Sequence, residues 1–247
     1  MTVLVESTLG ALREHGAGRV PAYEGAIRIA FDRSPPPFGM AWYGEKYRDL
    51  ATDPDWLAVS LVANATKEGE GARELWELAG RVDDADVAAR LQRHAVDESR
   101  HALYYGAMLE LAFPDALPAE ARPALRALSP RFRVSDQPPA GPALLDRQVI
   151  DAVIQINLGE IRTRIHQLLL TPVILAHCPE ASRLRLSRIL AALLGDESRH
   201  VVYTGHLLEG ALAHGHRDFV LETMAERLDE FNRLTLRQAG EATFTGS

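Results

Sequence analysis

Asp-Glu-Ser-Arg-His occurs at residues 97–101 and again, residue for residue, at 196–200. The similarity extends beyond the pentapeptide, since Tyr, Gly, Leu and Glu follow at equal distances in both copies. Each copy contains a Glu-x-x-His motif, formed by Glu98 and His101 in the first and by Glu197 and His200 in the second. Residues three apart share one helix face, so each motif can offer a carboxylate and an imidazole to one metal ion. Two such motifs facing each other in a helical bundle predict a dinuclear metal site.

Apolar residues recur with a period near 3.6 along most of the chain, and few stretches alternate with period two, so the sequence predicts an all-α protein. A connector at 114–142 contains seven prolines and separates two predicted helix pairs. The first pair covers about 54–80 and a helix from a cap at Asp83 or Asp84 to about Phe113. The second covers about 143–175, broken near Pro172, and about 180–213. This order predicts a ferritin-like four-helix bundle with one long crossover, in which 119–127 forms a short helix.

The segments outside the bundle are predicted as additions to one domain that spans 1–247. A short helix is expected at about 3–15, and residues 16–53 are expected to be an irregular N-terminal extension around the prolines at 35–37. An amphipathic helix is expected at about 216–238, where four apolar residues form one stripe: Val220, Met224, Leu228 and Phe231.

The bulk composition excludes several classes of partner. A formal net charge of −7 argues against nucleic acid or an anionic membrane surface. No apolar run has the length of a membrane span, and the N-terminus lacks the pattern of a signal peptide. Cys178 is the single cysteine, so an internal disulfide is impossible, and a cytoplasmic location is expected.

A dinuclear carboxylate site of this kind needs one further Glu from each of the other two helices. In the 54–80 helix, Glu68 is the single charged residue in a seam of Leu and Ala, whereas Glu70 shares its face with other charged residues. A lone charge in an apolar seam is costly unless it is paired or metal-bound, so Glu68 is preferred and Glu70 is the alternative. In the 143–175 helix, Glu160 is the one acid that follows the early Asp151. The resulting set of four carboxylates and two imidazoles suits iron or manganese better than zinc or copper.

At these residues the chain resembles the ferritin-like di-iron carboxylate proteins, nearest in kind to the p-aminobenzoate N-oxygenase and acyl-carrier-protein desaturase types. The resemblance covers about 54–213. It implies that Glu68 and Glu160 are the single-carboxylate ligands beside the two Glu-x-x-His motifs. It also implies hydrogen bonds that orient the ligating imidazoles, in which His200 donates to Asp97 and His101 donates to Asp196, with Arg100 and Arg199 holding the aspartates.

Two further residues have both a functional and a structural interpretation. His94 lies four residues before Glu98 on the same stripe, so it is either a seventh metal ligand or a core histidine with a hydrogen-bond partner. Thr163 lies three residues after Glu160, where desaturases carry a threonine beside the oxygen-binding site. Its other interpretation is a helical threonine that bonds its own backbone.

The resemblance implies an oxidoreductase in which two iron ions, or a manganese–iron pair, activate O₂ to oxidise a small organic molecule by hydroxylation, N-oxygenation or desaturation. No Gly-rich dinucleotide fingerprint is present, so electrons are expected from a ferredoxin or a flavin reductase. A homodimer is expected. The alternatives are an iron-oxidising storage protein, which assembles into a shell, and a metal-free interaction module.

Overall fold

The computed structural model describes residues 2–14 and 18–244, and all regular secondary structure in these two ranges is helical. The α-helices are α1 (Thr2–Glu14), α2 (Pro21–Arg33), α3 (Ala41–Leu50), α4 (Pro54–Ala79), α5 (Ala85–Ala112), α6 (Arg122–Arg126), α7 (Asp146–His177), α8 (Glu180–Ala213) and α9 (Arg217–Gly240). Short 3₁₀ turns occur at Pro37–Gly39 and Ala119–Ala121. The prediction of an all-α protein is confirmed. Position 15, the expected end of the first helix, lies outside the described residues.

The starts of α4 and α5 follow from their capping residues. The Asp53 carboxylate accepts a hydrogen bond from the backbone N–H of Asp55 at 2.9 Å, and Pro54 occupies the first turn, where its missing N–H is harmless. For α5, Asp84 rather than Asp83 is the cap, because its Oδ1 accepts from the backbone N–H groups of Asp86 and Val87.

The prediction that residues 16–53 are irregular is wrong, because α2 and α3 lie within this range. Pro21 starts α2, and Tyr23, Ile27 and Phe31 are buried at steps of four along one face. The prolines at 35–37 lie in the short segment between α2 and α3. Burial of this face therefore outweighs the local signal for irregular structure that the prolines provide.

The predicted break near Pro172 is also wrong, since α7 continues through this residue to His177. A proline inside a helix removes the hydrogen bond to the carbonyl four residues earlier, which here belongs to Leu168. Both Pro172 and Leu168 are exposed, so water can satisfy the released carbonyl group. The helix thus loses one internal hydrogen bond without burying an unsatisfied polar group.

Two compact units make up the described chain. Of the described residues, the first unit contains 2–14, 18–46, Leu144–Ile165 and Glu197–Thr243, and the second contains Tyr47–Ala143, His166–Asp196 and Phe244. Helices α7 and α8 contribute segments to both units. A single domain over 1–247 stays a prediction.

In the second unit, α4 and α5 pack along each other. The predicted seam of α4 is buried throughout: Leu61, Ala65, Glu68, Ala72, Leu75 and Ala79. The connector covers part of this pair, and the Phe132 ring stacks on Trp76 with ring centroids 4.3 Å apart. A carboxylate is therefore held inside an apolar helix interface.

Replacement by alanine is expected to have opposite effects on stability at two glycines of α4. A Cβ atom at Gly69 would lie 2.3 Å from the backbone oxygen of Leu128, whereas a Cβ at Gly71 would meet nothing within 4 Å. We expect Gly69→Ala to destabilise the metal-free protein by about 1–3 kcal/mol through overpacking. Gly71→Ala should stabilise it by up to about 1 kcal/mol, because alanine has the higher helix propensity. Urea unfolding of both variants measures the difference, and equal effects would contradict the close packing of the connector on α4.

The first unit contains a chain of buried hydrogen bonds that joins α2, α7 and α8. The Tyr23 hydroxyl donates to Asn157 Oδ1 at 2.9 Å, and Asn157 Nδ2 donates to Thr204 Oγ1 at 2.9 Å. The Thr204 hydroxyl donates to the backbone oxygen of His200 at 2.7 Å. This chain fixes the register of α7 against α8 beside Glu160 and His200.

Candidate metal centre

Three predicted ligands, Glu68, Glu98 and His101, come together in the second unit. Each offers one ligand atom within 4.8 Å of the others, and all three side chains are buried. His101 Nδ1 lies 3.4 Å from Glu98 Oε1 and 3.7 Å from Glu68 Oε2. One imidazole nitrogen thus faces two carboxylates, an arrangement that can hold a metal ion.

The pKa values of the two carboxylates of this group are shifted in opposite directions. Burial, together with the neighbouring carboxylate of Glu98, raises the pKa of Glu68 well above its ordinary value. Burial also acts to raise the pKa of Glu98, but hydrogen bonds from Glu68, His101 and His94 outweigh it, and this pKa is lowered. Glu68 therefore carries the proton and Glu98 the charge, because two adjacent buried carboxylates cannot both ionise at low cost. A divalent cation can replace that proton.

A buried oxygen of Glu68 also indicates that this carboxylate can bind a metal ion. Glu68 Oε1 is inaccessible to solvent and accepts no hydrogen bond from any residue that the structure describes. A buried polar atom without a partner is unfavourable, so such atoms call for an explanation. Coordination to a metal ion supplies one, since carboxylate oxygen is a preferred ligand of iron and manganese.

Asp196 orients the imidazole of His101. Its Oδ2 lies 3.0 Å from His101 Nε2 and accepts a hydrogen bond from Arg100 Nη2 at 2.8 Å. The same Arg100 nitrogen donates to Asp97 Oδ1 at 2.5 Å. An acceptor beside Nε2 keeps a proton on that nitrogen, so Nδ1 is the nitrogen that can bind a metal ion on the carboxylate side. This is the contact that the resemblance implies for Asp196.

The first unit contains the other three predicted ligands in the same relation. His200 Nδ1 lies 3.3 Å from Glu160 Oε2 and 3.7 Å from Glu197 Oε2. Glu197 and His200 are buried, and Glu160 is largely covered. In both units, therefore, the imidazole of a Glu-x-x-His motif turns Nδ1 toward its own glutamate and toward a glutamate of another helix.

His94 lies close enough to belong to the group of the second unit. It is buried, and its Nε2 lies 3.2 Å from Glu98 Oε1. This distance is consistent with a hydrogen bond and also with two ligands of one ion. A seventh-ligand role for His94 stays a prediction.

The remaining predicted residues lie on α5, α7 and α8. Thr163 is buried on α7, and its catalytic role stays a prediction. Asp97 contacts Arg100, while its pairing with His200 stays a prediction. Arg199 is exposed on α8, and its predicted role stays a prediction.

Asn157 and Arg162 are among the buried polar residues of α7 that the sequence did not predict. Asn157 lies three residues before Glu160 on its stripe, and an amide in an apolar stripe is the signal that marks it. Arg162 is fully buried, donates to Gln238 Oε1, and places its guanidinium 5.3 Å from the centre of the Phe231 ring. An arginine in a helix is ordinarily a surface residue, so nothing in the local pattern indicated its burial.

Comparison of the chain with models of known families, with curated proteins and with solved structures finds no match. Among the described helices, none is both long enough and apolar enough to cross a membrane. The positions of the ligand atoms therefore carry the functional conclusion: the chain contains buried groups of His and Glu that can hold metal ions.

The orienting contact of Asp196 predicts a loss of metal affinity. We expect Asp196→Asn to weaken Mn(II) and Fe(II) binding about 10- to 100-fold, because the amide no longer fixes the protonation and orientation of His101. Asp86→Asn is the matched control, since Asp86 is exposed and pairs with Arg90 in the first turn of α5. Anaerobic competition with a chelator measures both affinities. Equal affinities of the two variants would contradict the role of Asp196.

Proposed function

We propose that this chain is a di-iron oxidoreductase, or its manganese–iron counterpart, that activates O₂ to oxidise a small organic substrate. One observation carries the proposal: in each unit a buried Glu-x-x-His imidazole faces its own glutamate and a glutamate of another helix. The repeated pentapeptide and the resemblance of 54–213 further support the two groups as halves of one dinuclear centre.

The donor set favours iron or manganese. Three carboxylate or imidazole donors per group, with a single nitrogen among them, suit hard divalent cations. The charges also balance, because four ionised carboxylates neutralise two divalent cations. The sole thiol, Cys178, belongs to neither group.

When bound, the metal pair supplies the electrons that reduce O₂ and the oxidising power that acts on the substrate. The residues of the chain prepare the site for this chemistry. Glu68 releases its proton to accept a cation, and Asp196 holds His101 in one orientation. The apolar seam of α4 around Glu68 excludes water, which protects a reactive centre from side reactions.

The test is O₂ consumption by protein loaded anaerobically with Fe(II), followed by a mass-spectrometric product screen against amines, acyl carriers and aromatic acids. We expect an oxidised product that requires iron, reductant and O₂ together, with metal-free protein as the control. Gel filtration adds a second readout, since a dimer has twice the 27.2 kDa mass of the chain. A large shell that deposits oxidised iron and yields no organic product would favour the storage alternative instead.

A further inference from the structure

Three arginines surround a solvent-open pocket of about 510 Å³ in the second unit. Arg100 extends from α5, and Arg131 and Arg133 come from the connector, with Phe132 between them. We call this site the arginine pocket. It is a concentration of positive charge in a chain whose net charge is −7.

Two of the three guanidinium groups have no acidic partner among the residues that the structure describes. Arg131 and Arg133 are exposed, and neither forms an ion pair within ranges 2–14 and 18–244. The nearby Asp136 carboxylate accepts from the backbone N–H of Arg133 instead of its guanidinium. Their charge is therefore available to a partner from outside.

The loop that carries these arginines is held in place. Ser129 Oγ donates to the backbone oxygen of Ser99 at 2.5 Å and accepts from the backbone N–H of Arg131 at 3.2 Å. Ser99 Oγ accepts from the backbone N–H of Phe132 at 3.1 Å, and the Phe132 ring rests on Trp76. Arg131 has φ +56°, a backbone conformation that is unfavourable for a residue with a side chain. Such conformations persist where the surroundings impose them, and they are common at functional sites.

The arginine pocket is connected to the candidate metal centre by hydrogen bonds. Arg100 donates to Asp196 at 2.8 Å, and Asp196 lies 3.0 Å from His101 Nε2. The opposite nitrogen of that ring faces Glu98 and Glu68. Two hydrogen bonds thus join a pocket-lining side chain to a predicted ligand.

We infer that the arginine pocket is the docking site of an acidic electron-donor protein that serves the metal centre. The inference rests on the proposed function, which needs two electrons from outside the chain. Two donor molecules each lose one electron, and the two ferric ions of the oxidised centre each gain one.

The exposure of the pocket favours a protein over a small molecule. Small ligands bury most of their surface in concave sites, whereas this pocket is open and two of its three arginines, Arg131 and Arg133, are exposed. Arginine and aromatic side chains are enriched in protein interfaces, and complementary charge accelerates the encounter of two proteins. An acidic protein surface over Arg131, Phe132 and Arg133 would contact both the arginine and the aromatic side chains and would complement their positive charge.

The probe is a plant-type [2Fe–2S] ferredoxin, an acidic one-electron donor, used with the iron-loaded protein. The variant Arg131→Glu/Arg133→Glu reverses two charges of the pocket. Arg185→Glu/Arg188→Glu is the matched control, because these α8 arginines are exposed and do not line the pocket. Calorimetry gives the dissociation constant, and stopped-flow absorption gives the rate of reduction by reduced ferredoxin.

We expect the pocket variant to weaken ferredoxin binding and slow reduction by about tenfold or more at low salt, and the control variant to change both by less than about threefold. Dithionite should reduce all three proteins alike. If the wild type retains no iron, the proposed function fails and this inference with it. If iron binds and dithionite reduces it, but ferredoxin does not bind or binds both variants equally, only the docking inference is overturned. Saturable inorganic phosphate binding that leaves ferredoxin affinity unchanged would also overturn it, by indicating a small-anion site.

Discussion

Replacing Glu68 by glutamine is expected to lower the anaerobic iron content from about two ions per chain to one or fewer, while Glu70→Gln leaves it unchanged. Glu68 is buried in the apolar seam of α4, and its carboxylate lies beside Glu98 and His101. Glu70 is exposed and pairs with Lys67 at 2.7 Å. A neutral amide at position 68 supplies neither the charge nor the second oxygen that a divalent cation requires.

The two variants form a matched pair. Each removes one carboxylate from the same helix, at positions two residues apart, and each changes the net charge equally. Elemental analysis after anaerobic loading and desalting gives the iron content directly. Loss of iron in Glu70→Gln, or full loading of Glu68→Gln, would show that the seam does not identify the ligand.

In the metal-free protein, the Glu68→Gln substitution should raise the free energy of unfolding. This gain should grow with pH. The folded protein holds Glu68 protonated, whereas the unfolded chain loses this proton above the ordinary glutamate pKa of 4.5. The stabilising contribution of protonated Glu68 is therefore fully present below pH 4.5, and it is lost as the pH rises toward the raised pKa. Glutamine has no proton to lose, so the variant escapes this loss.

The expected slope is up to about 1.4 kcal/mol of unfolding free energy per pH unit, as the difference between variant and wild type. The lowered pKa of Glu98 does not add to this slope. Well above pH 4.5, Glu98 is ionised in both the folded and the unfolded chain, so its contribution to the free energy of unfolding is constant. Urea unfolding of both proteins in chelator, at about pH 5 to pH 8, measures the difference. A difference that stays constant over this range would show that Glu68 does not hold a proton in the folded state.

The sequence predicts elements well where burial follows a regular period. The apolar seam around Glu68 identified both a helix and its buried carboxylate, and Asp53 and Asp84 marked the helix starts. The sequence misled where a local signal competed with tertiary burial. Three prolines obscured α2, whose buried face includes Tyr23 and Phe31.

Local sequence patterns could not predict features that depend on contacts between distant segments. The burial of Arg162 depends on Gln238 and Phe231 of α9, and the conformation of Arg131 depends on Ser99 of α5 through Ser129. Neither has a periodic signal. The contact of Asp196 with His101 was accessible only through the resemblance, since nothing in the spacing pairs a residue with one 95 positions away.

The central claim is that the two Glu-x-x-His motifs hold one dinuclear centre, and Mössbauer spectroscopy of protein loaded with ⁵⁷Fe(II) and then oxidised by O₂ tests it most directly. About two iron ions per chain are expected, and coupling between adjacent ferric ions should give a diamagnetic quadrupole doublet. Magnetically split spectra of isolated ferric ions, or a single ion per chain, would contradict the claim.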